Sequence, residues 1–107
     1  MGNLKHWIET EAAGEPIEAV IIGAFGWSGY QEPDELKAVP QGKLMTWTKA
    51  APLLDYDFSS GYGAPRCHAI MVWSATKVIT VGQYDGSTWP YSLPRYPTET
   101  VPEMHGG

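Results

Sequence analysis

Cys67 and His68 are the residues of this chain best suited to chemistry, and they are neighbours. A thiol beside an imidazole can act as a nucleophile with its base, or as two ligands of a zinc ion. Asp55 and Asp57 stand upstream and Ser59 and Ser60 lie between, so Ser59 or Ser60 with His68 and Asp55 also makes a nucleophilic set on paper. Each reading meets an objection. Adjacent residues of a strand point to opposite faces, so Cys67 and His68 do not readily share one ion. The other histidines, His6 and His105, sit at opposite ends of the chain. A triad is defined by geometry rather than by inventory, and no Gly-x-Ser-x-Gly elbow is present. The expectation is therefore no metal and no cofactor, with Cys67 a small buried thiol beside a polar strand-end residue. A small hydrolase or ligand-binding enzyme using His68 with Asp55 or Asp85 is the alternative.

Three glycines, Gly23, Gly26 and Gly29, follow an apolar run. A dinucleotide loop needs G-x-G-x-x-G opening a helix, whereas this spacing is G-x-x-G-x-x-G with Pro33 downstream, so it reads as a plain loop. Gly106-Gly107 matches the terminal pair of ubiquitin-like and sulfur-carrier proteins and nothing more. A loose tail is the simpler reading.

The aromatics offer a different kind of site. Five tryptophans and six tyrosines are many for 107 residues. Trp7 and Trp73 fall in predicted regular elements, whereas Trp27, Tyr30, Trp89, Tyr91 and Tyr96 fall in glycine- or proline-rich stretches. Aromatic side chains outside the core supply large contact area at low entropic cost and often anchor partners. The segment around Tyr84, Asp85, Trp89, Tyr91 and Arg95 is the best candidate binding site, and the competing reading has these rings covering a small core.

What must position these residues is one domain's worth of chain. A composition of 43% hydrophobic and 18% charged residues is that of a globular protein, and nine prolines with twelve glycines promise much irregular backbone. Twelve acids against seven bases, a net charge of −5, lack the basic stripe that nucleic-acid binding needs. A single cysteine allows no internal disulfide. No secretory pattern opens the chain, and the apolar run from Val20 to Phe25 is too short to span a bilayer. A cytoplasmic location, no membrane contact and a protein partner are the expectations, with a homodimer open.

Asn3 is a good helix cap, and Leu4, Trp7 and Ile8 form an apolar stripe, so a helix is predicted over 4–13, stopped at Gly14. Lys5, Glu9 and Ala12 are expected to face water. The run Ile17–Ala24 lacks strict alternation and reads as a central strand buried on both faces. A short turn from Asp34, a short strand over 43–47, and a turn over Pro52–Tyr56 follow. His68–Ser74 and Lys77–Tyr84 form a predicted hairpin, although Ala75-Thr76 is poor chemistry for a primed turn. Beyond Asp85-Gly86 the prolines predict an extended surface segment.

The blocks LLDYDFSSGYGAP, HAIMVW, QYDGSTW and LPRYP, between Leu53 and Pro97, resemble small uncharacterised proteins carried by bacteriophages. That resemblance implies a viral or mobile-element accessory protein and carries no residue roles.

The expected fold is α+β: a small antiparallel or mixed sheet of three to four strands, with the N-terminal helix packed on one face. Residues 1–97 form one domain and 98–107 a loose C-terminal tail. The expected core is Leu4, Trp7, Ile8, Val20, Ile22, Leu53, Ile70, Val72, Ile79 and Val81. The expected function is non-enzymatic binding, in which aromatic loops contact a host protein.

Overall fold

The computed structural model describes residues 1–29 and 31–104. The predicted Tyr30 contact, His105 and the Gly106-Gly107 terminus lie outside the described residues.

Helix α1 spans Leu4–Ala12, and the Asn3 side chain accepts the His6 N–H at 3.0 Å, which satisfies one of the helix's orphan donors. It stops one residue before the predicted end. Ala13 takes the left-handed conformation (φ 51°), with its N–H on the carbonyls of Glu9 and Thr10. The buried stripe is Leu4, Ile8 and Ala12. Ala12 thus faces the core rather than water, because positions i, i+4 and i+8 share one side of a helix. Trp7 stands at the edge of that stripe, edge-on to Phe58 with ring centroids 5.3 Å apart. Its ring and that of Phe58 press on Gly2 so closely that a Cβ there would lie 2.7 Å from each, so the position requires glycine.

The sheet is larger than predicted. Five antiparallel strands run in the order β3-β2-β5-β6-β7, with β2 at Ile17–Phe25, β3 at Leu44–Met45, β5 at His68–Ser74, β6 at Lys77–Tyr84 and β7 at Ser87–Pro94. A separate two-stranded ladder joins β1 (Gly2–Asn3) to β4 (Asp57–Phe58). The prediction of three to four strands fails chiefly at β7. Its prolines predict an extended surface segment, yet the strand pairs with β6 from Ser87 to Pro94. Alternate N–H groups of an edge strand point away from the sheet. Thr88 shows which set does so, since its N–H bonds Ser60 O at 2.9 Å, while that of Arg95 bonds Thr76 O, also at 2.9 Å. Pro90 and Pro94 share the parity of Thr88, so their missing N–H groups cost the β6–β7 ladder nothing. The turn between β6 and β7 has both Asp85 (φ 51°) and Gly86 (φ 82°) in the left-handed region, which a primed hairpin turn requires.

The β5–β6 hairpin is present as predicted. Neither Ala75 nor Thr76 has positive φ, and the turn is held from outside instead. The Glu15 carboxylate accepts the Thr76 N–H at 2.8 Å, the Thr76 hydroxyl at 2.7 Å and the Ser74 hydroxyl at 2.9 Å.

Helix α2 (Trp47–Ala50) is capped by Thr46 and runs on into a 3₁₀ turn at Ala51–Leu53 that absorbs Pro52 near its start. A second 3₁₀ turn forms at Asp34–Leu36, as predicted. Both α-helices pack on one face of the sheet. The core between them holds Leu4, Ile8, Val20, Ile22, Ala50, Leu54, Val72 and Ile79, all fully buried, with Ile70 nearly so. Trp7, Leu53 and Val81 are only partly buried against it. No helix among the described residues is long and apolar enough to cross a membrane.

Candidate functional site

Two regions carry the residues singled out by the sequence: the buried start of β5, and the face of the sheet that the helices leave open.

His68 is completely buried. Its backbone N–H donates to the Tyr56 hydroxyl at 2.9 Å, and the same hydroxyl lies 2.6 Å from its Nδ1. The rings of Phe25 and Tyr56 stand edge-on to the imidazole. Burial raises the Tyr56 phenol well above its ordinary range, so it keeps its proton and donates it to Nδ1. That arrangement puts the proton of the neutral imidazole on Nε2, which faces Glu32 Oε1 at 3.7 Å. Burial holds the His68 pKa below its ordinary value, against the opposing pull of Glu32.

This chain of groups differs from the one drawn from the sequence. The carboxylate facing His68 is Glu32, not Asp55 or Asp85. Asp55 and Asp57 instead each accept from the Asn3 amide, at 3.0 and 3.1 Å, tying the start of β4 and the residues before it to the start of α1. Cys67 is buried, and burial pushes its thiol up to about 12, so it is neither thiolate nor nucleophile near neutral pH. Among the described residues no three His, Cys, Asp or Glu side chains converge on a point. The Tyr56 oxygen is committed on both sides, accepting from one group of His68 and donating to another. Chemically the cluster acts as a pin: it fixes Tyr56 against the first residue of β5, with Glu32 facing the imidazole at 3.7 Å, beyond hydrogen-bond reach. Glu32 lies 36 residues from His68 in a loop without periodicity, so no spacing signal could have paired them.

Beside this pin the sheet splits. The β5–β6 ladder pairs only Val72 with Ile79 and Trp73 with Val78. Further along, the Thr80 hydroxyl bonds Ile70 O at 2.8 Å in place of a backbone partner. A cavity of about 280 Å³ opens there, lined by Cys67, His68 and Ala69 on one side and Val81, Gly82 and Gln83 on the other.

The second region is the open face. Alternation along the strands puts Ala19, Ile21 and Gly23 of β2, Leu44 of β3, and Ala69, Met71 and Trp73 of β5 on it. To these β6 and β7 add Val78, Thr80, Gly82, Tyr84, Trp89, Tyr91 and Leu93. None of these positions carries a charge. Leu44 is 68% exposed, Met71 47% and Leu93 45%. The run Ile17–Ala24 predicts a strand covered on both faces because it lacks strict alternation. It is flanked on both edges, but only Val20, Ile22 and Phe25 are buried, and the remaining apolar residues belong to the open face.

The predicted site residues divide accordingly. Trp89 and Tyr91 lie on β7 rather than in a loop, with ring centroids 5.5 Å apart, and Tyr84 stands edge-on to Trp89 at 6.3 Å. Tyr91 also lies over Gly82, where a Cβ would come within 3.0 Å of its ring. Asp85 serves the hairpin turn. Arg95 is a strut, with one guanidinium nitrogen donating to Glu18 at 2.6 Å and to Ser74 O at 2.9 Å. Trp27 is exposed beside the cavity and Tyr96 is exposed after β7. Sequence reasoning missed Leu44, Ile21 and Met71 as surface residues, since an apolar residue in a strand looks the same whether or not anything covers it.

Comparison with protein-family models, with curated proteins and with solved structures found no match for this chain.

Proposed function

We propose that the protein works by contact rather than by catalysis, and that its working surface is the open face of the five-stranded sheet. One observation carries this reading: apart from Glu18, which pairs with Arg95 at one rim, the outward positions of all five strands are apolar or small and uncharged, yet both α-helices pack on the opposite face. Monomeric proteins rarely leave a continuous apolar surface of this kind exposed, and interaction sites commonly have it. Trp89 and Tyr91 supply the rigid aromatic area typical of binding hot spots, and Met71 the adaptable one. A protein surface is the occupant this chemistry suits, because the middle of the face has no charged group to orient a phosphate, a nucleic acid or a small anion, and Arg95 at its rim is already paired with Glu18.

Site-specific photocrosslinking tests the reading in cells that express the protein. A photoreactive phenylalanine analogue placed at Met71 is expected to yield protein adducts, whereas the same group at Glu9, exposed on α1, is expected to yield few. Equal adduct yields at the two positions would remove the sheet face from the argument.

A further inference from the structure

We infer that the occupant of the open face is a second copy of this chain, packed sheet against sheet about a two-fold axis. The inference rests on the contact reading above and names the partner. Three observations point to it.

The first is area. Four strands of seven to nine residues, with the short β3 beside them, outline roughly 20 by 25 Å at the usual strand spacing and rise, about 500 Å² in projection. An isologous contact uses the same patch twice. The total is then about 1,000 Å², and more once the relief of the side chains is counted, which reaches the size of a specific interface.

The second is charge. The chain carries −5, so two copies repel each other over most of their surface. The middle of the open face carries no charge, with Glu18 and Arg95 paired at one rim and Glu103 beside Tyr84 and Trp89 at another, so two copies can meet there with few like charges opposed. A partner chosen by electrostatic steering would need a charged counter-surface, and the middle of this face supplies none.

The third is relief. Across the sheet, Trp73, Val78 and Leu93 make one bulky row, by the pairings Trp73–Val78 and Val78–Leu93. Two rows further along the strands, Gly23 and Ala69 lie against each other, with Gly82 across the split, and together they make a shallow stretch over the 280 Å³ cavity that ends at Trp89, the partner of Gly82 on β7. Between these lie Ile21 and Met71, paired with each other, with Leu44 opposite Ile21. A two-fold axis along this middle row inverts the strands of the second copy. It sets Trp73 and Val78 of each copy over Ala69 and Gly82 of the other, Leu93 over Trp89, and Met71 near its own symmetry mate. Face-to-face packing of two twisted sheets is a standard way to close such a surface.

The test is the mass of the whole chain in solution, by sedimentation velocity or light scattering, across about 1 to 200 μM. The expected species is a dimer, twice 11.8 kDa. Met71→Glu sets two carboxylates near the axis and is expected to weaken the dimer on the order of a hundredfold, since opposed like charges cost several kcal/mol. Leu93→Glu is a second disrupting variant at an exposed position. Both should keep the circular dichroism spectrum of the parent, because the changed side chains are already about half exposed in a single copy. A parent chain that stays monomeric at 200 μM overturns the inference, and so does a dimer indifferent to both substitutions. The crosslinking at Met71 separates the two proposals: adducts with some other protein, alongside a monomeric parent, remove the dimer and leave the contact reading standing.

Discussion

The two faces of the five-stranded sheet are made by the same strands, often by consecutive residues, and they obey different rules. On the inner face Val20, Ile22, Val72 and Ile79 are fully buried beneath α1 and α2. Their neighbours one step along, Ile21, Met71, Trp73 and Val78, are just as apolar and remain half-buried or exposed on the other side. Hydrophobicity is therefore equal on the two faces, and coverage is not. Apolar area stabilises the fold only when it leaves water. The inner face is accounted for by folding; the outer face remains available for association.

The sharpest way to break this comparison is to cut equally on each side. Ile79→Ala removes a fully buried side chain and is expected to cost about 3 kcal/mol in denaturant unfolding, by the transfer and cavity terms of core truncation. Val78→Ala, one residue earlier and facing outward, is expected to change a dilute monomer by no more than about 1 kcal/mol. Similar losses for the two would mean that the outer face is packed within a single chain, and the contact proposal would lose its footing.

A smaller effect sharpens the inner side. Burial keeps His68 neutral in the folded state, with its pKa below the ordinary value of 6.5. The unfolded chain therefore binds a proton more readily than the native one, and stability should fall as pH drops below about 6.5 and on through the folded pKa. The interaction with Glu32 opposes this and is the lesser influence. His68→Gln should flatten the slope of stability between pH 7 and 5, whatever it does to the level. If the parent instead gains stability toward pH 5, the Glu32 pairing dominates and the burial argument for His68 is reversed.

The smallest effect concerns the hairpin that both faces share. Hydrogen bonds from Thr76 and Ser74 hold the Glu15 carboxyl below its ordinary pKa of 4.5. A depressed carboxyl contributes stability that is present above the unfolded value and lost as pH falls through the folded one. Glu15→Gln should therefore weaken the acid limb below about pH 4.5 and leave the region near neutrality less changed. Hydrogen exchange at Thr76, whose N–H the carboxylate accepts, gives a local readout. An unchanged exchange rate there would show that the turn holds without its clamp.

Much of the fold was legible one residue at a time. Asn3 followed by Leu4 and Ile8 specifies a capped amphipathic helix, because cap chemistry and helical spacing are local properties. The β-branched runs of β2, β5 and β6 specify strands for the same reason. Most of the inner core, from Leu4 and Ile8 to Val72 and Ile79, follows from alternation alone. The architecture is α+β with an N-terminal helix, as expected, while its strand count was underestimated.

What tertiary structure alone decided is where each local preference is overruled or completed from far away. β7 exists despite Pro90 and Pro94 because it is an edge strand, and the direction of an N–H toward or away from a neighbour is not a property of the residue. The Ala75-Thr76 turn closes without glycine because Glu15, some sixty residues earlier, supplies its acceptors. Glu32 and Tyr56 find His68 through loops that carry no periodic signal, so Asp55 and Asp85 looked equally eligible. An unbroken apolar run such as Ala19–Phe25 records that both faces of a strand shun water. It cannot record how many helices the chain has to spend on them. With one nine-residue helix and one of four residues, a single face can be covered, and that shortage of covering elements is what leaves the other face open.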